Sequence, residues 1–372
     1  MPTILHCIDT TGPGGAETLF VELAEHFSKA PYKSIALLRG PGWVERQLTA
    51  RGIPVIIEES RGSVNARYLL RLVQHLRHNQ VDLVHAHLPG ANLYGSMAGR
   101  IARIPVISTY HGAVDLRSSG RLESLRNRII RHGSRVVAVS EGLRDEVATR
   151  VGVPTGQIEL IPNGIDCDRF AGAQPLGLRE QFGLAPDAKV IGSLGNVRPA
   201  KAYDVGLRVL RRLRDDGMDV WWFVAGQARP GDALLGELEA LAVELGVDDR
   251  VRFLGFVEEP ERFLAELDAF LLCSSSEGHP LALTQAMAAG LPIVATRCGV
   301  EPVLGDGIHG WLAEVGDADG LSRQLEIVLA KGEVVTRKRQ EASTFGRQAY
   351  DGRAVLHRYE QLYAKLLTRR RR

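Results

Sequence analysis

The second half of the chain contains the sequence Ser274-Ser275-Ser276-Glu277-Gly278-His279-Pro280-Leu281-Ala282-Leu283-Thr284-Gln285-Ala286-Met287. The apolar run just before it, residues 269–273, predicts a buried strand. Gly278 and Pro280 predict a turn that leads into a helix near Leu281. Free backbone N–H groups and the dipole at a helix N-terminus attract anions. Glu277 on the turn and Gln285 on the helix would flank a bound phosphate, which indicates a nucleotide-sugar site.

Strands and helices alternate along the whole chain, which is typical of parallel sheets with crossover helices. The strands predicted in the first half are Thr3–Ile8, Ser34–Leu38, Val55–Glu58, Leu83–Ala86, Val106–Tyr110, Val136–Val139 and Glu159–Ile161. Helices are predicted between them at Ala16–Phe27, Ala66–His78 and Ala91–Ala102. After a turn-rich linker that begins at Pro162, further strands are predicted at Val190–Leu194, Val220–Ala225, Val251–Leu254, Ala269–Cys273 and Ile293–Thr296. With 372 residues, two doubly wound α/β domains are expected.

The composition is that of a globular enzyme, with 45% hydrophobic and 24% charged residues. The N-terminus runs directly into a predicted strand, so no signal peptide is expected. No apolar run approaches the ~20 residues of a membrane span. The cysteines at positions 7, 167, 273 and 298 show no metal-binding spacing. Buried free thiols and a cytoplasmic location are therefore predicted.

Charge is distributed unevenly along the chain. Residues 1–165 carry a net charge of +5, residues 166–335 carry −11, and residues 336–372 carry +8. Such segregation favours a dipolar molecule with one face attracted to an anionic surface. The alternative is a solvated acidic domain that happens to follow a basic one.

Several motifs, in their order, resemble those of glycosyltransferase family 4, a family of retaining enzymes with the GT-B fold. The motifs are Gly14-Gly15-Ala16-Glu17, His85-Ala86-His87, Thr109-Tyr110-His111-Gly112, Val139-Ser140-Glu141, Ile161-Pro162-Asn163-Gly164-Ile165-Asp166, Gly195-Asn196-Val197-Arg198-Pro199-Ala200-Lys201 and the segment from Glu277 to Gln285. The resemblance covers nearly the whole chain and implies two Rossmann-like domains facing a central crevice. It further implies an acceptor domain at residues 1–165, a donor domain at 173–344, and a C-terminal helix at 345–367 that packs back on the first domain.

Lys201 follows a predicted strand and turn, where a lysine can stabilise charge on a departing phosphate. The resemblance implies that Lys201 contacts the diphosphate of the donor. The family usually has an arginine at the position of Asn196, whereas here an arginine stands two places later, at Arg198. We expect Asn196 and Arg198 to contribute to donor binding, the alternative being that Lys201 and Arg198 are ordinary solvated charges.

The resemblance makes Glu277 the residue that binds hydroxyls of the donor sugar. Gln285 stands where the family has a second glutamate, which binds the ribose. An amide still donates and accepts hydrogen bonds, but it lacks the charge that strengthens them roughly twofold. We expect Gln285 to bind the donor, the alternative being a helix-surface amide. The turn and helix start between them are also assigned to the donor: Gly278, His279, Pro280 and Leu281.

In the first half, Gly14 and Gly15 allow close backbone approach to donor phosphates at a helix N-terminus. The family places a histidine beside the donor sugar at the position of His111, which is otherwise a satisfied polar group at a strand end. We expect His85 and His87 to face opposite sides of their strand and not to share a metal ion. We also expect no Asp-x-Asp motif of the type that holds a divalent ion on a nucleotide diphosphate. A metal-independent reaction without cofactor is therefore predicted, with Lys201, Arg198 and helix N-termini supplying the positive charge.

Residues 121–135 place Leu122, Leu125, Ile129 and Ile130 in a helical stripe flanked by five arginines. Such a helix is suited either to an anionic membrane leaflet or to core packing with a solvated face. The chain ends in Arg369-Arg370-Arg371-Arg372, which adds to the basic charge. A peripheral position on the inner membrane face is the corresponding hypothesis.

We therefore predict a retaining hexosyltransferase that uses a nucleotide diphosphate sugar, with UDP favoured over GDP. The expected acceptor is a hydroxyl of a lipid-linked or glycan intermediate of cell-surface polysaccharide, and no nucleic-acid partner is expected. Two alternatives remain open. One is a sugar-nucleotide epimerase of the same architecture, and the other is a non-catalytic nucleotide-sugar sensor, for which Gln285 is the hint.

Overall fold

A parallel sheet of seven strands, in the order β3-β2-β1-β4-β5-β6-β7, forms the centre of the first half of the chain. The computed structural model describes residues 1–29, 31–59, 65–116, 123–229 and 231–370. The strands are β1 Thr3–Ile8, β2 Lys33–Leu38, β3 Val55–Ile57, β4 Leu83–His87, β5 Val106–Tyr110, β6 Arg135–Ala138 and β7 Ile158–Leu160. The central strands β1, β4 and β5 are buried throughout because helices cover both sheet faces.

The helices of this half lie in two layers. They are α1 Gly15–His26, α2 Trp43–Ala50, α3 Ala66–His78, α4 Pro89–Ala102, α5 Glu123–Gly133 and α6 Glu141–Val151. Right-handed crossovers place α1 and α2 on one face and α3 to α6 on the other, because the strand order reverses between β1 and β4. Two loops meet at this reversal, where the Asp9 carboxylate accepts hydrogen bonds from the backbone N–H groups of Gly90 and Ala91.

A second parallel sheet has six strands in the order β10-β9-β8-β11-β12-β13. Its strands are β8 Lys189–Leu194, β9 Val220–Ala225, β10 Val251–Gly255, β11 Ala269–Leu272, β12 Ile293–Thr296 and β13 Trp311–Ala313. Its helices are α7 Cys167–Phe170, α8 Leu178–Gln181, α9 Tyr203–Asp215, α10 Leu234–Glu244, α11 Pro260–Ala265, α12 Leu281–Ala288, α13 Ala318–Leu329 and α14 Glu333–Tyr350. The strand order reverses between β8 and β11, so the loops that follow these two strands lie side by side.

The chain forms two compact units, Met1–Gly164 with Arg353–Arg372 and Ile165–Gly352. The last helix, α15 Gly352–Arg370, packs on the first unit through Val355, Tyr359, Leu362 and Tyr363. The structure thus confirms a doubly wound α/β architecture in each half. Among the described residues, no helix is both long and apolar enough to cross a membrane.

The C-terminal region differs from the single helix predicted at 345–367. Asp351 has extended backbone and separates α14 from α15. Ile165 causes the break, because its N–H donates to Tyr350 and its carbonyl accepts from Gly352, which holds residues 350–352 in a strand-like pairing. Residues 345–350 therefore belong to the second unit. The first unit carries 26 basic and 15 acidic residues, net +11, and the second carries 20 and 29, net −9.

Candidate active site

Lys201 and Glu277 form an ion pair at the strand-order reversal of the second sheet. Lys201 ends a short 3-10 turn, Pro199–Lys201, that follows β8, and Glu277 lies in the loop after β11. The Lys201 Nζ atom is 2.7 Å from Glu277 Oε1, and the two side chains are 21% and 12% exposed. Both groups are thus largely shielded from solvent yet reachable, so a bound ligand would meet them at increased electrostatic strength.

Backbone hydrogen bonds join the Glu277 loop to the Lys201 turn and to the loop after β12. The N–H of Ser275 donates to the carbonyl of Ala200 at 2.8 Å, and the N–H of Glu277 donates to the carbonyl of Cys298 at 2.8 Å. The sequence predicts Lys201 and Glu277 in one site, and the structure brings them together.

Gly195 lies directly beneath the lysine side chain. A methyl group at this position would come within 2.8 Å of Lys201 Cε, so only glycine fits without displacing the lysine. The Tyr203 hydroxyl donates to the Gly195 carbonyl at 2.6 Å and fixes the turn. The glycine that opens the Gly-Asn-Val-Arg-Pro motif therefore makes room for the charged group.

Asn196 and Arg198, both predicted to bind the donor, lie in different settings. The Asn196 side-chain oxygen accepts a hydrogen bond from the backbone N–H of Gln227 at 3.0 Å, which ties the loop after β8 to the loop after β9. Arg198 is exposed and forms no ion pair within the described part of the chain. Asn196 thus shapes the loop, whereas Arg198 projects towards solvent.

Helix α12 begins at Leu281, as predicted, with Pro280 as the preceding residue. His279 is buried edge-on against the ring of Tyr350, with ring centroids 4.8 Å apart. Burial lowers the pKa of His279 to about 4, so its imidazole is neutral at physiological pH. Gln285 is half-buried on α12, and no side-chain hydrogen bond joins it to another described residue. Its amide is available to a ligand.

In the first unit, Gly14 has extended backbone and α1 begins at Gly15, as the glycine motif predicts. The Glu17 carboxylate folds back over this loop and accepts a hydrogen bond from the Thr10 hydroxyl. A side chain at Gly14 would collide with Glu17. Gly14 therefore leaves space for a carboxylate at the first turn of α1, where it complements the helix dipole.

His111 follows β5 and is fixed through its backbone and its ring. The backbone N–H groups of His111 and Gly112 donate to Asp115 Oδ2 at 2.7 and 3.2 Å. The ring atom His111 Nε2 lies 3.0 Å from His87 Nδ1. Burial lowers the pKa of His111 to about 4 and raises the pKa of Asp115 to about 6. The neutral imidazole can donate one hydrogen bond and accept another.

The expectation that His85 and His87 face opposite sides of their strand is wrong. Their ring centroids are 4.1 Å apart, because residues two positions apart in a strand share a face. The His85 ring is bonded instead to the Thr109 hydroxyl at 2.8 Å and the Tyr363 hydroxyl at 2.5 Å. Where the structure describes the chain, it contains no group of three or more metal-ligating side chains.

The chain has two Asp-x-Asp sequences, and in each the first aspartate caps the N-terminus of a helix. Asp166, in Asp166-Cys167-Asp168, accepts hydrogen bonds from the backbone N–H groups of residues 168 and 169 at the start of α7. Asp317, in Asp317-Ala318-Asp319, accepts one from Gly320 at the start of α13. These carboxylates cap helices.

Sequence reasoning missed four side chains that support the site. Ser274 and Thr296 support Glu277, while His87 and Asp115 support His111. The spacing of Asp115 four positions after His111 is typical of a turn cap and could have revealed it. Ser274 lies three positions before Glu277 in the same loop, whereas Thr296 is the last residue of the neighbouring strand β12, so no local pattern indicates Thr296.

Sequence profiles of known families match both halves of the chain. The profile described as Glycosyltransferase Family 4 matches residues 13–169, and the profile described as Glycosyl transferases group 1 matches residues 188–331.

Curated relatives are similar over most of their length. The lipopolysaccharide core biosynthesis glycosyltransferase LpsE of Rhizobium meliloti is 27% identical, over 94% of this chain and 96% of that protein. The N-acetyl-alpha-D-glucosaminyl L-malate synthase of Bacillus anthracis is 28% identical, over 80% of this chain and 78% of that protein.

Solved structures share the fold. The structure of HepE from Anabaena in complex with UDP-glucose superposes with a TM-score of 0.87, at 22% identity, over 98% of this chain and 99% of that one. The lipopolysaccharide biosynthesis glycosyltransferase WaaG superposes with a TM-score of 0.73, at 17% identity, over 96% of this chain and 99% of that one.

Proposed function

This chain belongs to glycosyltransferase family 4 and has the GT-B fold, and we propose that it transfers a hexose from a nucleotide diphosphate sugar to a hydroxyl group with retention of anomeric configuration. The observation that carries the proposal is the shielded ion pair of Lys201 and Glu277 at the strand-order reversal of the second unit. This position is where doubly wound sheets bind nucleotides.

Lys201 and the N-terminus of α12 would hold the donor diphosphate. An ammonium group and free helix N–H groups both stabilise the charge that develops on a departing phosphate. Because this positive charge comes from the protein, we propose a metal-independent reaction. Glu277 would bind hydroxyls of the hexose, and Gln285 would bind the ribose. UDP is the favoured nucleotide of the donor because the similar HepE structures hold UDP and UDP-glucose.

Retention is proposed to proceed by attack on the same face from which the phosphate leaves, with the leaving phosphate taking the acceptor proton. In the first unit, we assign His111 to the donor sugar. Its imidazole is neutral because burial lowers its pKa, so it can hydrogen-bond a sugar hydroxyl without adding charge. The His87 ring, 3.0 Å away, orients it.

The acceptor is proposed to be a lipid-linked or glycan hydroxyl in cell-surface polysaccharide synthesis, bound by the first unit. The similarity to LpsE, a lipopolysaccharide core biosynthesis glycosyltransferase, supports this choice. We further propose that the first unit meets this acceptor at an anionic membrane surface on the cytoplasmic side.

One face of the first unit fits such a surface. Helices α3 and α4 contain no acidic residue, and α5 contains only Glu123. Their exposed arginines are Arg67, Arg71, Arg77, Arg100, Arg128 and Arg131. Exposed apolar side chains lie among them, with Leu70 62%, Ile101 51% and Leu125 54% exposed. Arginines interspersed with apolar side chains suit the interface of an anionic leaflet.

The opposite face of the same sheet is mixed in charge. Helices α1 and α2 carry four glutamates against Arg46 alone, whereas α15, which packs beside α1, carries Arg353, Arg358 and Lys365 against Glu360. Helix α5 both packs on the core and presents a basic surface. Its Ile130 faces the core, while Arg128 and Leu125 are exposed.

The predicted contributions of Arg121, Leu122, Arg371 and Arg372 lie outside the described residues.

The reaction is tested by incubating the protein with a panel of UDP- and GDP-sugars and measuring release of the diphosphate, with and without an extract of lipid-linked acceptors. Acceptor-dependent release of one nucleoside diphosphate, lost in Lys201→Ala, would support the proposal. Conversion of the sugar nucleotide without acceptor would instead support the epimerase alternative. Binding without turnover, with every acceptor fraction tried, would support a sensor.

A further inference from the structure

We propose that Ser274 is a positioning residue for Glu277, and that it sets which carboxylate oxygen is left for the donor sugar. The Ser274 hydroxyl donates to Glu277 Oε1 at 2.6 Å. Lys201 Nζ donates to the same oxygen at 2.7 Å. With two donors on Oε1, the other oxygen, Oε2, has no hydrogen-bond partner among the described side chains and is free to accept from a ligand. This inference rests on the proposed binding of a nucleotide sugar.

The backbone of Ser274 is itself held in place from the next strand. Thr296, the last residue of β12, donates its hydroxyl to the Ser274 carbonyl at 2.5 Å. Ser274 is 1% exposed and Thr296 is fully buried. A short hydrogen bond between buried groups fixes the backbone from which the serine projects, so the serine hydroxyl has little freedom to turn away from Glu277.

The backbone of Glu277 is fixed at the same time. Its N–H donates to the Cys298 carbonyl at 2.8 Å. Gly299 has a φ of +101°, and a side chain there would come within 2.7 Å of the Glu277 carbonyl. The carboxylate is therefore constrained from three directions, namely its main chain, the serine and the lysine. A side chain held in this way is pre-organised for binding, because the cost of ordering it is met on folding rather than on ligand binding.

The arrangement predicts that loss of the Ser274 hydroxyl affects the affinity for two ligands differently. UDP carries the diphosphate and ribose but no hexose, so it does not need Glu277 in one rotamer. A UDP-hexose needs the free oxygen of Glu277 in place. Loss of the serine hydroxyl should thus weaken the contact to the sugar and leave the contacts to the nucleotide intact.

The experiment measures binding of UDP and of UDP-glucose by calorimetry, and turnover where an acceptor is found, for the full chain and for Ser274→Ala. We expect affinity for UDP-glucose, and kcat/KM, to fall roughly 10- to 100-fold, the effect of losing one hydrogen bond to a charged group. Affinity for UDP should change less than threefold, which also shows that the variant is folded. Ser274→Thr, which keeps the hydroxyl, should restore sugar binding.

Ser193→Ala is the matched control. Ser193 is another buried serine of the second unit, and its hydroxyl is bonded to the Leu271 carbonyl and to Trp222 rather than to Glu277. Its loss should lower thermal stability without changing the ratio of UDP-glucose to UDP affinity. A double-mutant cycle with Glu277→Ala completes the test, because Ser274→Ala should have no further effect once the carboxylate is absent.

The outcomes separate the two proposals. If the unmodified protein binds none of UDP, GDP and their sugars, the proposed function fails. If it binds a nucleoside diphosphate and the corresponding sugar nucleotide, and Ser274→Ala weakens both ligands equally or neither, the positioning role of Ser274 is overturned while the proposed function stands. An undiminished effect of Ser274→Ala in the Glu277→Ala background would also overturn it.

Discussion

Lys201 and Glu277 are 76 positions apart in the chain, yet Lys201 Nζ lies 2.7 Å from Glu277 Oε1. Neighbouring parallel strands β8 and β11 produce this approach, since the loops that follow them emerge at the same sheet edge. The pair holds the ammonium group in place before any ligand binds. A diphosphate that binds there would meet a preformed positive charge.

Lys201→Ala is expected to lower turnover roughly 100-fold or more, the effect seen when one preorganised charge-stabilising donor is lost. The measurement is initial-rate release of the nucleoside diphosphate. Lys331→Ala is the matched control, because Lys331 forms an ion pair of similar length, 2.8 Å to Asp268, elsewhere in the second unit. Near-normal turnover in a folded Lys201→Ala protein would remove the lysine from the mechanism.

Gln285→Ala is expected to raise the KM for the donor more than it lowers kcat, as happens when binding common to ground state and transition state is lost. Gln285→Glu should be tolerated and should tighten the donor, because a carboxylate forms stronger hydrogen bonds to hydroxyls. Gln324→Ala, at another half-buried helix glutamine of the second unit, should change neither constant. An unaltered KM in Gln285→Ala would show that the amide does not contact the donor.

Acid should destabilise the first unit. Burial lowers the pKa of His6 to about 3 and of His111 to about 4, and it holds the pKa of His85 and His87 well below the usual value. In the unfolded chain these histidines take up protons near pH 6.5. The unfolded state therefore binds more protons below that pH, and the free energy of unfolding falls as the pH drops from about 6.5 towards 4.

Two carboxyl groups oppose this effect, because burial raises the pKa of Asp9 and raises that of Asp115 to about 6. The four histidines outnumber them, and each surplus proton contributes roughly 1.4 kcal/mol per pH unit. Urea denaturation at pH 7 and pH 5 measures the slope. His6→Asn should reduce it and the exposed His132→Asn should not; equal stability at both pH values would contradict the prediction.

Binding to anionic vesicles is expected, with a steep decrease as salt rises, because each basic residue near the surface contributes ~1 kcal/mol within a Debye length of ~8 Å. The double charge reversal Arg100→Glu with Arg103→Glu, on the α4 side, should abolish co-sedimentation. Lys29→Glu with Arg46→Glu, exposed charges beside α1 and on α2, is the control. Protein that stays in the supernatant with anionic vesicles at low salt would rule out the membrane face and favour a soluble acceptor.

Much of the fold could be predicted from periodicity because the interior strands of both sheets are continuous apolar runs. Four predicted strands match the structure at both ends: Thr3–Ile8, Val106–Tyr110, Val220–Ala225 and Ile293–Thr296. The short edge strand Trp311–Ala313 and helix α2 were missed. A strand of three residues and a helix of eight residues are too short to give a clear periodic signal. The break at Asp351 was missed because its cause, pairing with Ile165, is 186 positions away.

The sequence by itself determined the family, through its motifs in their order, and the two α/β halves, because strand ends, turn glycines and helix starts are local features. The roles proposed for Lys201, Glu277, Gln285 and His111 follow from the resemblance to that family. Only the tertiary structure decided what holds these side chains in place. Thr296 reaches the Ser274 carbonyl from the neighbouring strand β12, Lys201 reaches Glu277 from the turn after β8, and His87 reaches His111 from the strand beside it. Such support depends on which strands are neighbours in a sheet, and the order of strands in space differs from their order in the chain.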